Sequence, residues 1–191
     1  MQKNIIIAGV GGQGILTIAS IIDLAAMNIG LNVKQAEVHG MSQRGGAVES
    51  HLRISSDVIY SDLIPLGRAD LILSIEPMES LRYLPFLSPE GVIVTSTEPH
   101  ENIDNYPDVS ELLNVIRQSA SSCLVDAKSI AKEVGSPKTF NIAMLGAASP
   151  YLGIDTEEVE KAIEMFFAKK GETIVKMNMK AFRLGKEYAS K

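Results

Sequence analysis

The sequence has few or none of the residues that define several protein classes. Of its 191 residues, one is cysteine and none is tryptophan. A disulfide needs two thiols and an iron–sulfur cluster needs several. Because Cys123 is its one cysteine, this chain can form neither an internal disulfide nor an iron–sulfur cluster by itself. Its apolar neighbours Leu124 and Val125 indicate an inert, buried thiol.

Charge and hydropathy exclude two further kinds of partner. The net charge is −5 and no run of basic residues occurs, so neither nucleic acid nor an anionic membrane is expected as a partner. No apolar stretch reaches the ~18 to 20 residues that span a bilayer, because Asp23 interrupts the first apolar segment. The N-terminus carries no secretory leader pattern, and the sequence therefore predicts a cytoplasmic location.

What is present is the composition of a globular protein, with 46% hydrophobic and 21% charged residues. Its first segment is organised as strand, glycine turn and helix. The run 5–8 is apolar, β-branched and too short for a helix, which predicts a central strand buried on both faces. From Gln13 to Gly30 the apolar residues follow a helical period, and Gly30 marks the end of that helix.

The turn between them is rich in glycine. Its sequence runs Gly9-Val10-Gly11-Gly12-Gln13-Gly14, which satisfies the pattern G-x-G-x-x-G. Glycines let backbone amides approach an anion, and the positive end of the helix dipole favours a phosphate there. The turn is therefore either an anion site at Gly9, Gly11, Gly12 and Gly14 or a tight turn in which glycine serves packing. A P-loop is excluded, because no Gly-Lys-Ser/Thr follows.

Glu37 supports one specific use of this turn. It closes the second predicted strand, about where dinucleotide-binding folds place the acidic residue that holds a ribose. A free-standing NAD(P)-binding oxidoreductase is therefore one candidate function. Against it, no substrate domain remains in 191 residues.

A second unusual loop separates Glu37 from the strand predicted over 48–54. It contains Ser42, Gln43, Arg44, Gly45 and Gly46. The glycine amides suit an anion-binding concavity in which Arg44 makes a bidentate contact; a glycine turn with a solvated arginine is the alternative. His39 and His51 flank this loop. No third ligand accompanies them, so neither a zinc site nor any other metal site is predicted.

Four further segments carry expectations that the structure tests. Glu76 follows the predicted strand 69–75 and is either a site residue or a helix cap. Ser88 to Gly91 is predicted to be a turn, and Thr173 to begin a strand or loop before a helix over 176–189. The helix predicted over 139–152 is apolar nearly all round, which indicates packing against the core or against a second subunit.

Alternation of strands and helices predicts the fold class. The chain is expected to form a single α/β domain over residues 1–191, a three-layer α/β/α sandwich with a Rossmann-like, mainly parallel sheet.

Four segments in a fixed order resemble a known family. They are GVGGQGI at 9–15, EVHGMSQRGGAVESHLRI at 37–54, ADLILSIEPMESLRYLPFLSPEGVIV at 69–94 and NIAMLGAASPYLG at 141–153. Together they resemble the gamma-type subunit or domain of 2-oxoacid:ferredoxin oxidoreductases, and most of all the small subunit of those that act on indolepyruvate. The resemblance covers almost the whole chain.

The resemblance implies a reaction and a division of labour. In that family an aryl pyruvate is decarboxylated on thiamine diphosphate with Mg, electrons pass through iron–sulfur clusters to ferredoxin, and coenzyme A takes the acyl group. This chain has no Gly-Asp-Gly with a downstream Asn-Asn to bind thiamine diphosphate, and a single cysteine. The resemblance therefore implies that the cofactors lie on a larger alpha subunit and that this chain supplies no catalytic residue for decarboxylation.

Two roles for the glycine loops follow from the resemblance. Either Gly9 to Gly14 and Ser42 to Gly46 receive the phosphates of coenzyme A, or the same loops dock the larger subunit. The apolar faces of the chain also predict self-association, as a homodimer, when that partner is missing.

Overall fold

The computed structural model describes residues 1–39, 46–101 and 104–189, with His39 described in its backbone only. Within these residues the chain forms six strands and seven α-helices. The strands are β1 (Gln2–Val10), β2 (Asn32–His39), β3 (Ala47–Ser55), β4 (Ala69–Ser74), β5 (Leu87–Ser96) and β6 (Ser121–Val125). The helices are α1 (Ile15–Asn28), α2 (Pro77–Arg82), α3 (Val109–Ser119), α4 (Ala127–Val134), α5 (Phe140–Ala148), α6 (Thr156–Phe167) and α7 (Glu172–Ala189). None of the described helices is both long and apolar enough to cross a bilayer.

All six strands form one sheet in the order β2-β3-β1-β4-β5-β6. Strands β4, β5 and β6 continue in parallel from β1, whereas β3 is antiparallel to both β1 and β2. Five strands therefore share one direction, which confirms the predicted mainly parallel sheet. The Rossmann-like expectation needs one correction: β3 lies between β1 and β2, because the chain returns directly from β2 instead of crossing over through a helix.

Helices cover both faces of the sheet, which confirms the predicted sandwich. Ile5 and Ile7 of β1 face a core shared with α1, α4, α5, α6 and α7. Ile6 and Ala8 face a smaller core shared with α3 and the segment that follows α2. All four side chains are fully buried, so both faces of β1 exclude water. This explains why its sequence is an unbroken apolar run with no polar alternation.

Two predicted boundaries are wrong. Ser88 to Gly91, predicted to be a turn, lies inside β5 as a bulge: Ala69 pairs with Leu87, but Leu71 pairs with Val92. Gly91 is needed there because a Cβ would lie 2.8 Å from the carbonyl oxygen of Ala69. The strand or loop predicted from Thr173 is helical, since α7 already begins at Glu172. Burial of one face of α7 outweighs the strand preference of its β-branched residues.

The small residues of α5 pack within this chain. A Cβ on Gly146 would lie 2.0 Å from the carbonyl oxygen of Phe182 in α7, and a Cβ on Gly185 would lie 2.0 Å from that of Ala143 in α5. Such distances are far below van der Waals contact, so α5 and α7 approach backbone to backbone. The sequence predicted that this helix packs either against the core or against a second subunit. The structure shows it packed against the core of its own chain.

The close contact between α5 and α7 predicts that a Gly→Ala change destabilises the protein here, which is the opposite of its usual effect in a helix. In an exposed helix, Gly→Ala stabilises by up to about 1 kcal/mol. Gly146→Ala is instead expected to lower the free energy of unfolding by about 1 to 3 kcal/mol, because the methyl group forces α5 away from α7. Urea denaturation measures the change. Gln118→Ala on the exposed face of α3 is the control and should stay within about 0.5 kcal/mol of the parent. A Gly146→Ala protein as stable as the parent would contradict the close packing.

Candidate functional site

Gly46, at the end of the second glycine-rich loop, lies beside the first glycine turn at the carboxyl end of β1. The N–H of Gly11 donates to the carbonyl oxygen of Gly46 over 2.9 Å, and the neighbouring residues Val10 and Ala47 are paired between β1 and β3. Gly46 is thus beside the turn, as a joint site requires. Ser42, Gln43, Arg44 and Gly45 lie outside the described residues, so their part in such a site stays a prediction.

Two of the four glycines in the turn are explained by packing. A Cβ on Gly9 would lie 2.7 Å from Oε1 of Gln13, which itself accepts from the N–H of Val10 over 2.8 Å. Gly14 begins α1 in the left-handed region, with φ of 81°, and a Cβ there would lie 2.4 Å from Nδ2 of Asn141. Gln13 therefore closes the turn from within. These contacts leave Gly9 and Gly14 a structural role whatever else the turn does.

Gly12 is different, because its surroundings are open. Its φ is 99°, which favours glycine, and no atom of the described residues lies within 4 Å of the position of a Cβ. Among the described residues, the backbone at Gly12 is therefore the most open part of the turn. Asn141, which lies against Gly14, was not selected from the sequence as a site residue. Its only signal was its place at the start of the fourth family-like segment, before a helix of small residues.

The sheet has its topological switch point between β1 and β4, where ligands commonly bind in α/β proteins. Glu76 lies there, directly after β4, and is 1% exposed. Its Oε2 accepts from the N–H of Glu79 over 2.9 Å, and its Oε1 accepts from the Tyr106 hydroxyl and, over 3.4 Å, from the His100 N–H. Both oxygens are thus used by the protein, which makes Glu76 the cap of α2.

Further carboxylates make this side of the switch point acidic. Burial raises the pKa of Glu79 despite the opposing effect of Arg82, and the charges of Glu76 and Glu49 raise it further. Arg82 forms an ion pair with Glu79, with 3.0 Å between Nε and Oε2. Because three carboxylates face one guanidinium here, the α2 side disfavours a phosphate unless more positive charge is added from elsewhere.

His51 is not part of a metal site among the described residues. His51 is 3% exposed; its Nδ1 accepts from the N–H of Ile64 over 3.0 Å, and its Nε2 lies 3.7 Å from Oε1 of Glu49. Burial lowers its pKa, although the neighbouring Glu49 acts in the opposite direction. His51 therefore holds the segment after β3 in place as a neutral side chain. Among the described residues, no three His, Cys, Asp or Glu side chains are grouped to hold a metal ion.

Glu37 does not occupy the position that a dinucleotide requires. It lies on the edge strand β2, separated from β1 by β3, and its Oε1 accepts from Nε2 of Gln35 over 2.7 Å. In dinucleotide-binding folds the corresponding strand lies directly beside β1. Across the α1–β2 contact, the pKa of Asp23 is raised to about 7, by burial first and then by the charge of Glu37. The sheet order thus removes the main support for an NAD(P) site.

Comparison with known proteins agrees with this geometry. Residues 4–188 match the family described as "Pyruvate ferredoxin/flavodoxin oxidoreductase". The chain is 38% identical to the indolepyruvate oxidoreductase subunit IorB of Pyrococcus horikoshii, over 96% of this chain and 94% of that one.

Solved structures show the same fold. A keto/oxoacid ferredoxin oxidoreductase gamma subunit from Geobacter sulfurreducens superposes with a TM-score of 0.71 at 26% identity, covering 98% of both chains. The 2-oxoglutarate:ferredoxin oxidoreductase of Magnetococcus marinus, solved with 2-oxoglutarate, coenzyme A and succinyl-CoA bound, superposes with a TM-score of 0.80 at 25% identity. There the match covers 99% of this chain and 31% of the longer one.

The chain therefore belongs to the pyruvate ferredoxin/flavodoxin oxidoreductase family, as an oxidoreductase subunit with the fold of the gamma subunits. This membership does not favour a free-standing dinucleotide oxidoreductase, which was the alternative from the sequence.

The Asp23–Glu37 contact predicts a pH-dependent effect. A carboxyl group whose pKa is raised on folding binds more protons in the native state, so its destabilising effect grows as pH rises from about 3.8 to about 7. Asp23→Asn is expected to raise the free energy of unfolding by about 1 to 2 kcal/mol near pH 8, less than the full pKa shift implies because Asp23 is partly exposed.

Urea denaturation at about pH 4, 6 and 8 measures the effect of Asp23→Asn, which should shrink steadily toward acid. The exposed Asp104, changed to Asn, is the matched control and should show no such trend. An equal effect of Asp23→Asn at all three pH values would rule out the raised pKa.

Proposed function

We propose that this chain is the small, gamma-type subunit of a cytoplasmic indolepyruvate:ferredoxin oxidoreductase, forming one domain over its described length. The observation that supports this most strongly is its similarity, over almost the full length of both chains, to indolepyruvate oxidoreductase subunits. The complex would convert an aryl pyruvate to an acyl-CoA while reducing ferredoxin. A 2-oxoglutarate synthase subunit is also related, at 30% identity, so the choice of 2-oxoacid is part of the proposal.

The decarboxylation cofactors are assigned to a larger partner subunit. One cysteine does not hold an iron–sulfur cluster, and the described residues form no group of carboxylates or histidines suited to the Mg ion of thiamine diphosphate. The residues present therefore do not fit these groups. No step of the decarboxylation is assigned to this chain, which contributes assembly and ligand binding to the complex.

The ligand proposed for the glycine loops is coenzyme A. Its phosphates would meet the open backbone at Gly12 and the amino end of α1, beside Gly46. The carboxylates of Glu49, Glu76 and Glu79 nearby oppose such an anion, so Arg44 is needed to reverse the local charge. The Magnetococcus marinus relative was solved with coenzyme A bound, which supports this choice of ligand.

Docking of the larger subunit is the alternative role. Large apolar side chains stand out from the ordered segment after β3: Tyr60 is 91% exposed, Leu66 67%, Val58 66% and Leu63 55%. Arg53 holds this segment through the carbonyl oxygens of Ser61 and Leu63. Such side chains favour a contact with another chain, or self-association of the isolated subunit. The glycine loops are therefore not the only surface suited to a partner.

Replacement of Arg44 separates the two roles. The tagged chain is co-expressed with the larger subunit, and indolepyruvate-dependent ferredoxin reduction is assayed against coenzyme A concentration. Arg44→Ala is expected to raise the KM for coenzyme A about tenfold or more, with the larger subunit still co-purifying. Arg117→Ala is the control, because Arg117 is exposed on α3 and its guanidinium contacts only Asn114 among the described residues.

Two results would contradict the proposal. An unchanged KM with poor recovery of the larger subunit would make the loops a docking surface. Low-micromolar binding of NADH by the isolated chain, measured by calorimetry, would instead restore the dinucleotide function.

A further inference from the structure

A second cavity lies beyond the glycine turn, on the face of the sheet that carries α1, α5 and α7. Its volume is about 280 Å³, close to the lower end of the ~300 to 1,000 Å³ range of small-molecule sites. Lining residues include Thr17 of α1, Asn141 of α5 and Ile174 of α7. Each belongs to the first three residues of its helix, so three amino ends converge on this cavity.

Two lysines add full charges to these helix ends. Lys138 and Lys170 line the cavity, each two residues before a helix begins. Neither forms an ion pair with a carboxylate among the described residues, and Lys170 lies 5.1 Å from the ring centroid of Phe167. The first turns of α1, α5 and α7 contain one acidic residue, Glu172, which is paired with Lys176. The two lysines therefore make the cavity positive, although the carboxyl ends of α4 and α6, beside Ser136 and Phe167, offset part of the effect of the amino ends.

The remaining walls divide into polar and apolar parts. Thr17 and Ser136 bring hydroxyl groups to the cavity, while Phe167, Ile174 and Met177 form an apolar wall. An inorganic ion alone would leave that wall in contact with water. A ligand that combines a negative group with an apolar body uses both parts.

Asn141 separates this cavity from the glycine turn. Its Nδ2 donates to the carbonyl oxygen of Gly14 over 3.2 Å, and the same side chain lines the cavity. Asn141 is 9% exposed, so it forms a fixed wall between the two places. A ligand in the cavity therefore does not need to touch Gly12.

We propose that this cavity binds a small organic anion, a carboxylate or phosphate ester with an apolar body, at a site separate from the one proposed for coenzyme A. Lys138 and Lys170 hold the negative group, and Phe167 and Ile174 contact the apolar body. The site does not depend on the function assigned to the glycine loops, and the experiments on the two are independent.

Phenyl phosphate is the probe, titrated into the full chain by calorimetry. Saturable binding is expected, and the double change Lys138→Gln with Lys170→Gln should weaken it about tenfold or more. The matched control removes the same charge outside the cavity, by Lys3→Gln with Lys169→Gln, and should leave binding unchanged. Inorganic phosphate is expected to bind more weakly than phenyl phosphate, because it lacks the apolar body.

Three results would overturn the proposal. They are the absence of saturable binding by the parent chain, equal binding by the cavity and control variants, and displacement of phenyl phosphate by coenzyme A. Lys138, Lys169 and Lys170 are exposed and Lys3 is partly exposed, so all variants are expected to fold. Thermal melting of each variant checks that a loss of binding is not a loss of folding.

Discussion

Hydrogen bonds at the carboxyl end of β1 connect the two sides of the sheet and the helical layer. Gly11 donates to Gly46 at the start of β3, the N–H of Ile75 donates to the carbonyl oxygen of Ala8, and Asn141 donates to that of Gly14. Strand β3, the parallel half of the sheet and the helical layer are thus joined within a few residues. A Cβ at Gly9 would lie 2.7 Å from Oε1 of Gln13 and one at Gly14 would lie 2.4 Å from Nδ2 of Asn141, so the turn tolerates almost no side-chain volume at either position.

Charge is distributed unequally around this point. On the α2 side, buried carboxylates cluster near Glu76, and burial keeps the pKa of Glu79 raised. On the α5 side, Lys138 and Lys170 lie beside helix amino ends. An anion that approaches β1 therefore meets opposite fields on the two faces of the same sheet. At Gly12 the described residues leave the backbone open, although the carboxylates of the α2 side oppose an anion there.

The fold combines the glycine-turn pattern of dinucleotide-binding proteins with a different sheet order. Placing β3 between β1 and β2 moves Glu37 to the outer edge, where it faces Asp23 and bonds to Gln35. The same sequence pattern of strand, glycine turn, helix and acidic residue therefore describes two different sites. The pattern specifies only local geometry. The distance between the glycine turn and the acidic residue depends on which strand lies beside β1.

The sequence by itself determined the local elements and the class of fold. Ile5 to Ala8 was recognisable as a doubly buried strand, the apolar period from Gln13 to Gly30 predicted α1, and the glycine spacing marked its start. These depend on side-chain period and backbone conformation, which neighbouring residues specify. Tertiary structure alone decided the place of β3, the bulge at Ser88 to Gly91, the helical start at Glu172 and the contact between Asn141 and Gly14. Each of these joins residues far apart in the chain, or depends on burial against a distant element, and short-range patterns carry no information about such distances.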